Sequence, residues 1–183
     1  MQDNTPSSID KPEGRPEDPE TLYHQEGPGI FRYLLGLLGS REEAEDVMQT
    51  LWMEIIGRWN TLETPVPYLW RTARHQALRH RAWGRRRRGF LATVHSALTG
   101  SGDDGLDMLP ADANPGLSRE ERLAVSQAVS RLPFEQREAV VLMAFEGWSA
   151  REAGERLGIT ESTIDSRYRT ALGKMKKKLS RPT

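Results

Sequence analysis

Between Leu132 and Leu179 the chain reads LPFEQREAVVLMAFEGWSAREAGERLGITESTIDSRYRTALGKMKKKL, and its start and stop signals leave the backbone little freedom. Pro133 opens a helix whose apolar positions Val140, Val141, Leu142 and Phe145 run up to the breaker Gly147. Ser149 begins a second helix. Glu152, three residues on, completes a capping box in which each side chain satisfies the other's free backbone donor. Gly158 suits the left-handed residue beyond a helix end, and Thr160 supplies the next cap oxygen. Two short helices, so tight a turn and a longer third helix have helix-turn-helix spacing.

In that last helix Ile164, Tyr168, Ala171 and Met175 recur at helical spacing and are expected to pack inward. The opposite face carries Ser162, Thr163, Asp165, Ser166, Arg167, Arg169 and Thr170 near its N-terminal half, where recognition helices touch base edges. Lys174, Lys176, Lys177 and Lys178 follow, a cationic end suited to phosphates or to the helix C-terminal dipole. An ordinary amphipathic helix with a solvated basic tail would share that pattern. What favours nucleic acid is the agreement of capping box, turn glycine and cap threonine on one motif.

The formal net charge of zero conceals blocks of sign. Arg71 to Arg88 holds eight cations and no acid, whereas Gly89 to Leu117 holds four acids and no cation. Such a pattern suits a polyanion for some segments and a protein partner for others. Residues 1–20 contain four prolines, six acids and scarcely any apolar side chain, so they read as a disordered acidic tail. Residues 89–117, with Gly100, Gly102, Gly105, Pro110 and Pro115 among their aspartates, read as a flexible acidic linker. The expectation is therefore an all-α protein of two small helical domains, residues 21–88 and 118–180, the second bearing the helix-turn-helix.

Within the first domain, Thr21 to Gly39 has the apolar spacing of a helix interrupted at Gly27, Pro28 and Gly29, which predicts two pieces. Ser40 and Glu43 form another capping-box pattern, and Ala44, Val47, Met48, Leu51, Trp52, Ile55 and Ile56 follow it at three-four spacing. The outer face of that helix carries Glu45, Asp46, Gln49 and Glu54, either a solvated stripe or a docking surface for a basic partner. A polar loop, Arg58 to Thr64, leads to Pro65 and Pro67 and then a helix from Tyr68 to about Arg88. Here Tyr68, Trp70 and Trp83 interleave with Arg71, Arg74, His75, Arg79 and Arg85 to Arg88. Rings that stack on bases beside cations that follow the backbone suit single-stranded or partly opened nucleic acid, although each tryptophan alone is better explained as core.

Catalytic chemistry has no footing in the sequence. There is no cysteine, so disulfides and thiolate metal sites are excluded. His24, His75, His80 and His95 form no metal pair on one helical face, and no phosphate-cradling glycine loop or nucleophile elbow occurs. No enzyme activity and no cofactor are expected. The absence of an apolar membrane-length run or a signal-type N-terminus favours a cytoplasmic protein without membrane insertion.

From Leu22 to Leu179, the linker excepted, the sequence resembles the extracytoplasmic-function (group four, sigma-70 family) sigma factors of bacterial RNA polymerase. The C-terminal LP..QRE, FEG.S..E....LGI and STI.SR, and the N-terminal AEDVMQTLW and YLWRTARHQAL, carry that resemblance. It implies a specificity subunit of core polymerase, with promoter DNA and an anti-sigma factor as further partners. Glu45, Asp46, Gln49 and Glu54 would then dock on the beta-prime clamp helices, while other contacts reach the beta subunit. Arg58, Trp59, Asn60, Arg71, Arg74, His75 and Arg79 would capture and open the minus-ten element. Ser162, Thr163, Asp165, Ser166, Arg167, Arg169, Thr170 and Lys174 would read the minus-thirty-five element. The acidic linker would thread the polymerase's nucleic-acid channel. Opening roughly ten base pairs costs on the order of 14 kcal/mol at about 1.4 per stacking step, and flipping one or two bases returns only a few. Core polymerase must supply the rest.

The chain departs from the family pattern where His75, Arg79, Asp165, Thr170 and Leu172 stand. A less cationic recognition helix keeps two alternatives open. One is a stand-alone helix-turn-helix regulator, and the other a sigma-like decoy that occupies polymerase or an anti-sigma factor without reading DNA.

Overall fold

The computed structural model describes residues 16–95 and 118–180, with side chains to position 81 and again from 118. Most of the expected acidic tail and linker, and the side chains of Trp83 and Arg85 to Arg88, lie outside the described residues. Seven α-helices and no strand make up the described fold: α1 Pro19–Leu38, α2 Arg41–Arg58, α3 Pro65–His95, α4 Arg119–Ser130, α5 Phe134–Val140, α6 Ala150–Leu157 and α7 Glu161–Leu179. The all-α, two-domain reading holds.

Helices α1, α2 and α3 pack mutually, and α7 is embraced by α4, α5 and α6. The first helix is unbroken, contrary to the two pieces expected. Pro28 sits inside it, with Leu22, Ile30, Tyr33, Leu34 and Leu37 all buried along one side. Fully burying an aliphatic side chain contributes roughly 1.5–3 kcal/mol, so several together outweigh the roughly 3 kcal/mol that an interior proline costs. The Asp18 carboxylate caps the start of α1 by accepting from the Thr21 amide at 2.7 Å.

Helix α2 begins at Ser40 as expected, but its capping box is half made. Ser40 Oγ accepts the Glu43 amide at 3.3 Å, while the Glu43 carboxylate lies 3.8 Å from His80 Nδ1 in α3. A 3-10 turn, Trp59–Thr61, links α2 to α3, which continues past Arg88 to His95.

In the C-terminal part, α4 was not picked out from sequence, although Ser118 and Glu121 carry the same S-x-x-E pattern and form both bonds of a capping box. Helix α5 widens into a single π-turn, Val141–Phe145, closed by the Glu146 amide on the Val141 carbonyl at 3.0 Å. The predicted capping box of Ser149 and Glu152 is fully formed, and Gly158 ends α6 at φ 70°. Thr160 does occupy the cap position of α7. Its hydroxyl, however, meets that of Thr163 at 2.6 Å rather than a backbone amide.

The core does not respect the division into domains. One buried cluster runs from Leu22, Tyr33, Leu51, Ile55 and Trp70 into Phe134, Val141, Leu142, Ala153, Leu157 and Ile164. A smaller one, Ala128, Val129, Leu132, Val140, Ala171 and Met175, lies beneath α4.

Candidate nucleic-acid and polymerase interfaces

Along α2, Glu45, Asp46 and Gln49 are exposed, as expected. Glu45 accepts from Arg41 at 3.4 Å, and the Asp46 and Gln49 side chains make no hydrogen bond or ion pair with other described residues. Met53 and Ile56 extend this face and are 62% and 61% exposed. Ile56 thus belongs outside rather than in the core. The useful signal was present in the sequence, because Gln49, Met53 and Ile56 follow one another at helical spacing. Glu54 differs from its expected neighbours. It accepts from the Tyr68 hydroxyl at 2.9 Å and Gln76 Nε2 at 3.2 Å, bracing α2 against α3.

The residues expected at the minus-ten element divide. Arg58, Asn60, Arg71, His75 and Arg79 are exposed, and Trp59 is half-buried in the 3-10 turn. Arg74 is turned inward. Its Nε donates to Glu138 Oε1 at 2.8 Å, and its side chain is only 24% exposed. Trp70, which taken alone is better explained as core than as a stacking platform beside the arginines, is 1% exposed. Its indole N–H donates to Glu26 at 2.8 Å, and its ring meets Tyr33 and Trp148 edge to face at 5.3 and 4.5 Å. Two apolar ring neighbours and one acceptor satisfy an indole completely, so the core explanation prevails for Trp70.

On α7, Ser162, Ser166, Arg169, Thr170 and Lys174 are exposed, while Thr163 and Asp165 are half-buried. Arg169 pairs with Asp165 one turn back at 2.8 Å. Arg167 points away from that face, with Nη1 3.8 Å from Glu138 Oε2. The α6–α7 turn is set by a residue that the sequence reading passed over. A Cβ on Gly154 would stand 2.5 Å from the Ile159 carbonyl oxygen, so only glycine lets the chain fold back there.

Two buried charges dominate the electrostatics. Glu138 accepts from Tyr33 and Arg74, yet burial outweighs these contacts and that of Arg167, holding its carboxyl above its ordinary value. The Tyr33 phenol is pushed well above 10, first by burial and then by Glu138. Arg137 donates to the Leu37 carbonyl at 2.8 Å and to the Ser130 carbonyl. Burial, reinforced by nearby Arg81, lowers it to about 10, so it remains a cation near neutrality on the carbonyl ends of α1 and α4. Among the described residues, no cluster of three His, Asp or Glu could hold a metal ion, and no helix is long and apolar enough to cross a membrane.

An exposed acidic and apolar face, an arginine-bearing helix and a helix-turn-helix are the features of a DNA-binding transcription factor. The sigma-70 region 2 family matches residues 22–88, and the sigma-70 region 4 family matches residues 122–175. The chain is 30% identical over 157 residues to the extracytoplasmic-function (ECF) RNA polymerase sigma factor SigL of Mycobacterium tuberculosis, covering 82% of each protein. It is 27% identical over 166 residues to the RNA polymerase sigma factor CarQ of Myxococcus xanthus, covering 87% of this chain and 88% of that one. In fold it matches the sigma factor RpoE solved in complex with the anti-sigma factor NepR, from Bartonella quintana, with a TM-score of 0.62 at 20% identity over 90% of this chain and 98% of that one. The protein belongs to the extracytoplasmic-function sigma factors and serves RNA polymerase in promoter recognition.

Proposed function

We propose that the chain docks on core polymerase through the outer face of α2 and reads the promoter at two places from that position. Asp46 and Gln49, free of partners among the described residues and continued by exposed Met53 and Ile56, carry the docking reading. Mixed acidic and apolar character suits the beta-prime clamp helices, with Glu45 at the margin and Glu54 acting through the α2–α3 brace. Arg58, Trp59, Asn60, Arg71, His75 and Arg79 then face the minus-ten element, joined by Arg74 when it is free. The α7 face of Ser162, Thr163, Ser166, Arg169, Thr170 and Lys174 enters the major groove at the minus-thirty-five element. Residues 96–117 connect the two domains within the polymerase channel. The protein acts by binding, without catalysis of its own, in the cytoplasm where polymerase and DNA reside. Its further partners are the beta subunit and an anti-sigma factor, the latter in keeping with the Bartonella relative's complex.

Run-off transcription with bacterial core polymerase on sheared DNA of the source organism tests this reading. Discrete new transcripts that disappear with Asp46→Ala/Gln49→Ala are expected. No binding to core polymerase would refute it. A decoy reading draws on the Asp165–Arg169 pair, which occupies a recognition-face cation. Exposed pairs of this kind contribute only about 0.3–0.5 kcal/mol, so DNA phosphate can readily displace Asp165. Core binding without transcripts would favour the decoy.

A further inference from the structure

The outward side of α7 offers DNA fewer free donors than its composition suggests. Arg167 turns away, with Nη1 3.8 Å from Glu138 Oε2. The Thr170 hydroxyl donates to the Ser166 carbonyl at 2.8 Å, and the Thr163 hydroxyl is engaged by that of Thr160 at 2.6 Å. Arg169 is therefore the arginine of α7 that stands out from the protein, its side chain 78% exposed.

Asp165, one turn earlier, holds it. Oδ2 accepts from Arg169 Nη2 at 2.8 Å, and the shorter Asp165 side chain, 37% exposed, is the better anchored of the two. Gly173 follows Arg169 at helical spacing, and a Cβ there would meet nothing within 4 Å. Glycine weakens a helix interior, and no contact inside the protein calls for it at this position. Together with the exposed Ser162 and Ser166, it leaves a low surface from which Arg169 projects.

An arginine so placed has two ways to meet DNA. A mobile guanidinium goes to phosphate, which carries no sequence information. One pinned by a carboxylate presents a fixed planar fork, because a single oxygen takes one N–H and leaves Nη1 and the second Nη2 proton for a bidentate contact. In the major groove, guanine O6 and N7 are the acceptors that match such a fork. The pair is weak enough in water for phosphate to displace Asp165, yet a guanine contact requires no displacement, and the carboxylate repels phosphate oxygens from the same spot. We propose that Arg169 reads a guanine of the minus-thirty-five element and that Asp165 is the positioning residue that aims it, so that the pair sets base preference at one position of the promoter. The inference rests on the reading of α7 as the minus-thirty-five helix.

Run-off transcription with holoenzyme, assembled from core polymerase and the unmodified chain, supplies the promoters. Duplexes of one promoter with the minus-thirty-five segment randomised are then bound to holoenzyme, and the retained sequences are counted. The unmodified protein should prefer guanine at one position by about tenfold over other bases. Arg169→Ala should abolish that preference and leave the other positions as they were. Asp165→Ala should cut it several-fold at the same position, while binding to a scrambled duplex tightens and its salt slope steepens by about one unit as the released guanidinium meets phosphate. Asp165→Asn, which keeps an acceptor for Nη2 without the charge, should restore part of the preference. Replacing the selected guanine by 7-deazaguanine, which lacks N7, should weaken the unmodified holoenzyme several-fold and leave Arg169→Ala unchanged. Base preference unmoved by Asp165→Ala would overturn the positioning role. A 7-deazaguanine penalty that persists in Arg169→Ala would overturn the guanine contact. Absence of discrete transcripts from the unmodified chain would refute promoter reading itself, whereas transcripts whose minus-thirty-five preference ignores both alanine variants would refute only this inference.

Discussion

Glu138 is the residue on which most of the buried chemistry converges. Removing one partner of a buried charged group typically costs about 3–5 kcal/mol, because the others remain desolvated. Glu138→Ala should destabilise the full-length chain by that order in urea unfolding, since Tyr33, Arg74 and Arg167 all lose an acceptor or counter-charge. The pH dependence has a definite sign. Burial raises the carboxyl above its ordinary 4.5, so the folded state holds this proton more tightly than the unfolded chain does. Its contribution is fully present below 4.5 and is lost as pH rises through the raised value. Glu138→Gln should therefore flatten that decline in a series of unfolding curves from acid to neutral pH. The sequence disclosed none of this. Glu138 looks like one more helical acid, and the partners that bury it lie far away along the chain.

At the scale of elements, the C-terminal helices were the most legible part. Ser149, Glu152 and Gly158 specify a start and a stop through local hydrogen bonds alone, and the structure forms them as written. The capping-box bonds also hold Glu152 and Glu121 below the usual carboxylate value, chiefly through the backbone amides of Ser149 and Ser118. In an NMR titration both carboxyls should ionise below 4.5, and the caps should weaken as pH falls through those lowered values. Gly154 is a different case, because its requirement arises only when the chain folds back upon it. Alanine there would gain about 1 kcal/mol in helix propensity but drive a methyl into the Ile159 carbonyl, a strain typically worth about 1–3 kcal/mol. Gly154→Ala should lower the stability of the α6–α7 unit and weaken double-stranded DNA binding while leaving polymerase binding through α2 intact. Gel-shift and core pull-down assays would show the split. Pro28 and the π-turn misled in the opposite sense. A proline between glycines looks like a break, and VLMAF looks like regular helix, until packing decides each.

For the whole molecule, the central result is a single large core shared by two domains. Heat should therefore unfold the chain in one cooperative transition, and Gly36→Ala, whose added Cβ would stand 2.7 Å from Val141 Cγ2, should resolve it into two. Calorimetry would detect the difference. By itself the sequence determined the helical class, most helix starts and the exposure of Glu45, Asp46 and Gln49 on α2, because all of these depend on neighbours within a few residues. Only the tertiary structure decided that Trp70 is core, that Glu54 is a brace, that Arg74 and Arg167 turn toward Glu138, and that Gly36 meets Val141. Each of those outcomes depends on which distant side chain supplies a hydrogen bond, a ring face or an empty volume, and helical periodicity carries no information about partners a hundred residues away.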